Sequence, residues 1–317
     1  MKPQKLPYLD ISTATSVEDA ARLIFMENLL HLQNNCRLFL KAKDDNALMQ
    51  IRIATRRIRV ALRVFRNYIP QVTAQLLKEE FKYFGQRLGL ARDLDVLSNG
   101  LLGDSCPVPE LEDDYKDLRK RIEKRRDKEF QRMRKKLKSK RFKSLMKHYE
   151  NWCEDPFASR FGAVAMQDLN EFILETLDAG HQELRLKGEK LEDYTVEDLH
   201  ELRKYVKRCR YHIRFFASRL KPKVVQQSYD ILVPMQDSLG HINDVHVGAR
   251  LLNEICADVS TKKMHRYLHM NALLLEYLGR QADTEMAIYE GLWGDFKAFE
   301  IKAKDLVSLP VPFEKAL

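Results

Sequence analysis

Two stretches of the sequence each place four cations on one face of a helix. Arg52, Arg56, Arg59 and Arg63 are separated by steps of four, three and four residues, and Arg203, Lys207, Arg210 and Arg214 repeat that spacing. At 3.6 residues per turn such steps alternate about a single line, so each set forms a basic ridge. Ile51, Ile58, Leu62 and Phe65 supply a separate apolar stripe beside the first ridge. Leu202, Val206, Cys209, Ile213 and Phe216 do so beside the second. Stacked like charges repel by a few tenths of a kcal/mol per pair, and neither line contains an acidic partner. A helix that needs only solubility mixes signs. One such ridge reads as a solvated basic face; two at equivalent places read as a grip for a polyanion. The planar guanidinium fork suits that task, because it binds phosphate oxygens in pairs and keeps its charge.

The two stretches are copies of one unit. Leu48 to Phe65 laid over Leu199 to Phe216, at a constant offset of 151 residues, matches Leu48 with Leu199, Arg52 with Arg203 and Phe65 with Phe216. Arg57/Arg208, Arg59/Arg210 and Arg63/Arg214 also coincide, and Arg56 faces Lys207. The same offset carries Leu88–Val96 onto Leu239–Val247, with Leu, Gly, Asp and Val in order. This predicts two similar helical halves, about 13–155 and 160–306, related by a pseudo-two-fold axis. Arg57 and Arg208 fall roughly 140° off the basic lines. They are read as structural, pairing with Asp93 and Asp244, since a buried charge needs a partner.

A third basic stretch runs from Arg119 to Lys143 and thins out in acids after Glu129. Its plain reading is a solvated helix surface; its functional reading makes Arg134, Lys138 and Arg141 secondary phosphate contacts. His200, His241 and His246 with Asp244 could be drawn as a hydrolase site, but the sequence has no H-E-x-x-H and no C-x-x-C to complete an H-x-E signature. Walker A, G-x-G-x-x-G and G-x-S-x-G turns are missing as well. No catalytic residue, metal or cofactor is therefore expected. His200 is kept as a phosphate donor, because it sits one turn before Arg203.

Helices must position these residues. Only 12 Gly and 10 Pro punctuate 317 residues, and 32% of the chain is charged against 44% hydrophobic, a composition of amphipathic helices. Helices are predicted at about 20–40, 46–68, 72–98, 110–139, 142–152, 163–188, 195–220, 224–258, 261–281 and 283–304. Ser16 and Thr195 open two of them, each with Asp three residues on. A net charge of +9 favours polyanions. Five scattered cysteines (Cys36, Cys106, Cys153, Cys209 and Cys256) suggest reduced thiols in a cytoplasm. No apolar run reaches membrane-spanning length, and the first residues lack a signal-peptide core.

At these positions the chain resembles the CHAD family of α-helical domains. Its motifs, roughly V-H-x-x-R-V-x-x-R-R-x-R and L-H-x-x-R-K-x-x-K-R-x-R-Y, correspond to Leu48–Arg59 and Leu199–Tyr211. The L-G-x-x-x-D segments and Ser139–Phe142 also look like the family. The resemblance covers nearly the whole chain. It implies a single domain over 1–317, with two pseudo-symmetric four-helix bundles around a basic cavity that holds inorganic polyphosphate without catalysis. It also points to the cytoplasm, with polyphosphate granules as a candidate location. Met49 stands where the first motif usually has histidine, which halves any role for paired histidines. The E-x-E-x-K segment of relatives fused to a triphosphate hydrolase is not found. A nucleic-acid binder and a granule or scaffold protein with a protein partner are the competing readings. An enzyme acting on phosphate esters is the weakest. A cavity lined only by charge would grip phosphate without reading bases.

Overall fold

The computed structural model describes residues 9–42, 44–103, 106, 109–154, 167–189 and 195–307. Within them the chain is all-α: α1 (Val17–Arg37), α2 (Asn46–Val64), α3 (Gln71–Arg87), α4 (Gly89–Val96), α5 (Glu112–Leu137), α6 (Lys140–Glu154), α7 (Leu169–Gly188), α8 (Val196–Phe216), α9 (Pro222–Ala257) and α10 (Thr261–Ala298). The Asp155-Pro156 turn and a helix start at Ala163 lie outside the described residues.

Local chemistry explains most boundaries. The Ser16 hydroxyl accepts from the Asp19 amide at 3.1 Å. Thr195 and Asp198 form a full capping box at the head of α8, fixing where its basic ridge begins. The apolar stripe of α2 is buried at Leu48, Ile51, Ile58 and Leu62, and that of α8 at Leu202, Val206, Cys209 and Ile213. With those faces committed to the core, the ridges are left to look elsewhere.

Two boundaries differ from expectation. The helix predicted at 72–98 breaks at Leu88 into α3 and α4, whereas its repeat counterpart α9 runs unbroken through Leu239 and even carries Pro234 inside it. Predicted helices at 261–281 and 283–304 are instead the single α10, ending at Ala298. The Thr284 hydroxyl bonds back to the Arg280 carbonyl at 3.0 Å, sharing that acceptor within the helix without breaking it. Gly279 costs only about 1 kcal/mol in a helix, which packing along α9 overrides.

Two apolar cores hold the helices. The larger joins α1, α2, α3, α6, α7 and α8 through Phe25, Phe65, Phe81, Tyr149, Phe172 and Phe216, and takes in parts of α5, α9 and α10. The smaller joins α4 and α5 to α9 and α10 through Leu94, Tyr115, Leu118, Leu252, Tyr267 and Leu274. Each core draws on both copies of the repeat. At the end of α7, Gly188 leaves room for the Trp293 ring, which a Cβ would meet at 2.1 Å. All five cysteines are free and buried. No helix among the described residues is long and apolar enough to cross a membrane.

Candidate functional site

A cavity of about 900 Å³ opens between α2, α3 and α8. From α2 and the turn after it come Arg56, Arg59, Arg63 and Arg66. From α8 come His200, Arg203, Lys204, Lys207 and Arg208, and α3 adds Gln71, Gln75 and Lys78. Nine lining residues are Arg or Lys and none is acidic, among the described residues.

Six of the nine residues assigned to phosphate binding therefore meet at one cavity: Arg56, Arg59, Arg63, His200, Arg203 and Lys207. Arg52 stands behind them, close enough to Arg56 and Arg203 to feel their charge. Arg210 and Arg214 lie outside the lining; Arg214 is neighbour to Arg57, Tyr229 and Glu27. Of the secondary contacts, Arg134 is bonded to Asp45, and Arg141 grips Glu80 at 2.6 and 2.9 Å. Lys138 is exposed at the end of α5. None of these three lines the cavity.

The structural pairs expected for Arg57 and Arg208 are corrected. Arg57, fully buried, donates to both carboxylate oxygens of Glu27 on α1, at 2.6 and 3.2 Å. Arg208 pairs with Glu183 on α7, which Arg63 also approaches at 3.4 Å. The partners of both arginines come from the helices that flank the ridge helices, and Arg208 also lines the cavity.

Asp93 and Asp244 serve the base of the cation cluster instead. Arg92 clasps Asp244 through two hydrogen bonds of 2.6 and 2.5 Å, and Arg203 stands 3.9 Å from the same carboxylate. Burial works against ionisation of Asp244, but the Arg92 bonds and charge more than offset it and hold the carboxyl below its usual value. Asp93 lies 3.7 Å from Arg92. Here burial wins over the charges of Arg52 and Arg92, and its carboxyl is raised.

The cations remain short of counter-charge. Burial, reinforced by neighbouring guanidinium groups, pulls Arg52 and Arg203 down to about 10. Burial together with Arg56, Arg203 and Arg52 pulls Lys207 down to about 5. The Nε atoms of Arg59 and Arg203 are buried without a hydrogen-bond partner. Such orphaned donors carry a desolvation cost, which an anion in the cavity would relieve. His200 Nδ1 sits 2.6 Å from Asn243 Oδ1, while Asn243 Nδ2 donates to Asp244 at 3.4 Å. Since the amide presents its oxygen, Nδ1 donates, and Nε2 is the nitrogen left for the cavity.

Elsewhere the site gives no metal-like grouping. His241 Nε2 is 3.1 Å from Gln281 Oε1, and no cluster of three or more metal-ligating side chains forms among the described residues. Arg66, Arg92, Gln71, Gln75 and Lys78 are site residues that the basic spacing does not reveal.

An all-α chain that folds two repeated basic helices around one cation-lined cavity defines a class. The model of the CHAD domain family matches residues 23–253, and the chain belongs to that family. A search of curated proteins found no match. Among solved structures, the CHAD domain from the plant Ricinus communis superposes with a TM-score of 0.79 at 22% identity, covering 96% of this chain and 99% of that one. PptA from Streptomyces chartreusis superposes with a TM-score of 0.67 at 14% identity, covering 89% and 100%. At these identities the likeness is one of fold.

Proposed function

We propose that this protein binds inorganic polyphosphate in the cavity between α2, α3 and α8, and performs no chemistry on it. The observation that carries the reading is the lining itself: nine cations, drawn from both copies of the repeat and from α3, with no carboxylate among the described residues. Family membership supports it, since the resemblance to CHAD domains implies polyphosphate as ligand. Guanidinium groups take phosphate oxygens in pairs, and release of counterions from a polyanion drives affinity that weakens steeply with salt.

The composition of the walls favours polyphosphate over nucleic acid. Tyr211 is the aromatic residue in the lining, and it is only 2% exposed, so no ring face is offered for base stacking. Five free, buried thiols support a reducing compartment such as the cytoplasm.

The test is a titration with labelled long-chain polyphosphate at low and raised salt, with single- and double-stranded DNA as competitors. Tight binding that weakens with salt and resists excess DNA is expected. Absence of binding at low salt, or displacement by equal amounts of DNA, overturns the reading.

A further inference from the structure

Lys207 is a lysine set among arginines where α2 meets α8. Its neighbours there are Arg52 and Arg56 on α2 and Arg203 on its own helix. Its repeat counterpart is Arg56. The nearest balancing carboxylate is Asp244 on α9, already clasped by Arg92 of α4. Asp93, also on α4, stands beside Arg52 and Arg92. On α7 the facing acid is Glu183, committed to Arg208 and Arg63. Across the cavity α3 presents Lys78, and α8 itself adds His200, Lys204 and Tyr211. No ion pair joins Lys207 to a carboxylate among the described residues.

This crowding has one chemical outlet. A guanidinium group does not give up its proton in a protein, whereas an ammonium does. When like charges are pressed together away from water, the amine is the group that reverts to its neutral form. An anion brought among the same groups reverses the sign of the local field and favours the charged form.

We infer that Lys207 is neutral in the empty cavity and takes up one proton from solvent as a polyanion arrives, so that binding is coupled to pH at this residue. The inference rests on the polyphosphate reading. The balance is simple: the lysine amine plus one proton gives the ammonium, and the ligand's oxygens supply the countercharge. Burial and the three arginines, which pull the group to about 5, agree with the geometry. Arginine at this position, as in the other copy, would hold its charge throughout and carry no such linkage.

The experiment is calorimetry of the full chain with long-chain polyphosphate at pH 8, in two buffers of different ionisation enthalpy. Long chains keep the weakly acidic terminal phosphates a small fraction of the polymer. The expected result is uptake of about one proton per occupied site, with affinity falling about tenfold per pH unit between pH 7 and 9. Lys207→Arg should bind with no uptake and with affinity that is flat in pH; Lys207→Met should bind more weakly and likewise without uptake. His200→Gln should keep the uptake, even if its affinity drops. Binding by the wild-type chain without proton exchange overturns this inference and leaves polyphosphate binding intact. Uptake that persists in Lys207→Arg overturns it too, because another group then carries the proton. No binding at all sinks both readings.

Discussion

Helices α2 and α8 carry the two copies of one repeat, yet they serve the cavity with different parts. From α2 come Arg56, at its middle, and the C-terminal cations Arg59 and Arg63; from α8 come His200 and Arg203, in its first half, and Lys207, at its middle. Arg210 and Arg214, the counterparts of Arg59 and Arg63, lie outside the lining. Two crossing helices diverge on either side of their contact, so a cavity on one side meets opposite ends of each. The counterpart wall would hold Met49 where His200 stands and Tyr229 where Lys78 stands. The repeat thus supplies a symmetric stock of cations, and the crossing, with two substitutions, concentrates the cavity's cations on one side.

The sharpest contrast within the repeat is between Arg57 and Arg208. Arg57 has no exposed side-chain surface and its partner Glu27 keeps 13%; Arg208 keeps 16% and Glu183 keeps 42%. Removing one member of a buried pair strands a charge away from water, at about 3–5 kcal/mol. The same deletion near the surface leaves a carboxylate that water can solvate, at about 1 kcal/mol or less. Arg57→Met should therefore lower the urea midpoint severely, and Arg208→Met only slightly. Equal losses in the two variants would mean that the copies are energetically equivalent and that the burial argument fails.

The fold was legible because the repeat, the capping pairs and the apolar stripes agree on where helices lie. The ridges were legible because four cations in helical register form a local pattern. What escaped is what depends on neighbours distant in sequence. Glu27 and Glu183 sit on α1 and α7, and nothing in the spacing of Arg57 or Arg208 points to them. Lys78 lies in a stretch, QVTAQLLKEEFK, that reads as ordinary helix surface; only the approach of α3 to α8 makes it part of a wall. Arg92 follows the same logic, because its target Asp244 is 152 residues away. A break that its glycine does not decide escaped too. Leu88 interrupts one copy while Leu239, flanked by the same glycine, does not.

Within the ridges the comparison predicts a graded loss of affinity. Arg59 lines the cavity with an unsatisfied Nε. Deleting a charged donor to a phosphate costs about 1.5–3 kcal/mol, so Arg59→Ala should weaken polyphosphate binding by roughly 10- to 100-fold. Arg210, its counterpart outside the cavity, contributes only a screened charge at a distance, and Arg210→Ala should change affinity less than about threefold. Stability should hold in both variants, because removing a cation from a like-charged cluster relieves repulsion. If Arg210→Ala proves as costly as Arg59→Ala in a binding titration, the ligand spans both sides of the crossing and the asymmetry drawn above is wrong.

The smallest expected effect falls on the histidine that only one copy retains. His200 donates from Nδ1 to Asn243, which leaves a lone pair on Nε2 in the neutral ring. A water can bridge that nitrogen to a phosphate oxygen. His200→Met should therefore weaken binding only modestly, by about 1 kcal/mol or less. Met49→His, which restores the motif in the other copy, should alter affinity less still, because position 49 does not line the cavity. The two variants are best compared by titration at one pH and one salt concentration. A gain from Met49→His as large as the loss from His200→Met would show that the counterpart wall also meets the ligand, and that its present weakness comes from the missing imidazole rather than from the way the helices cross.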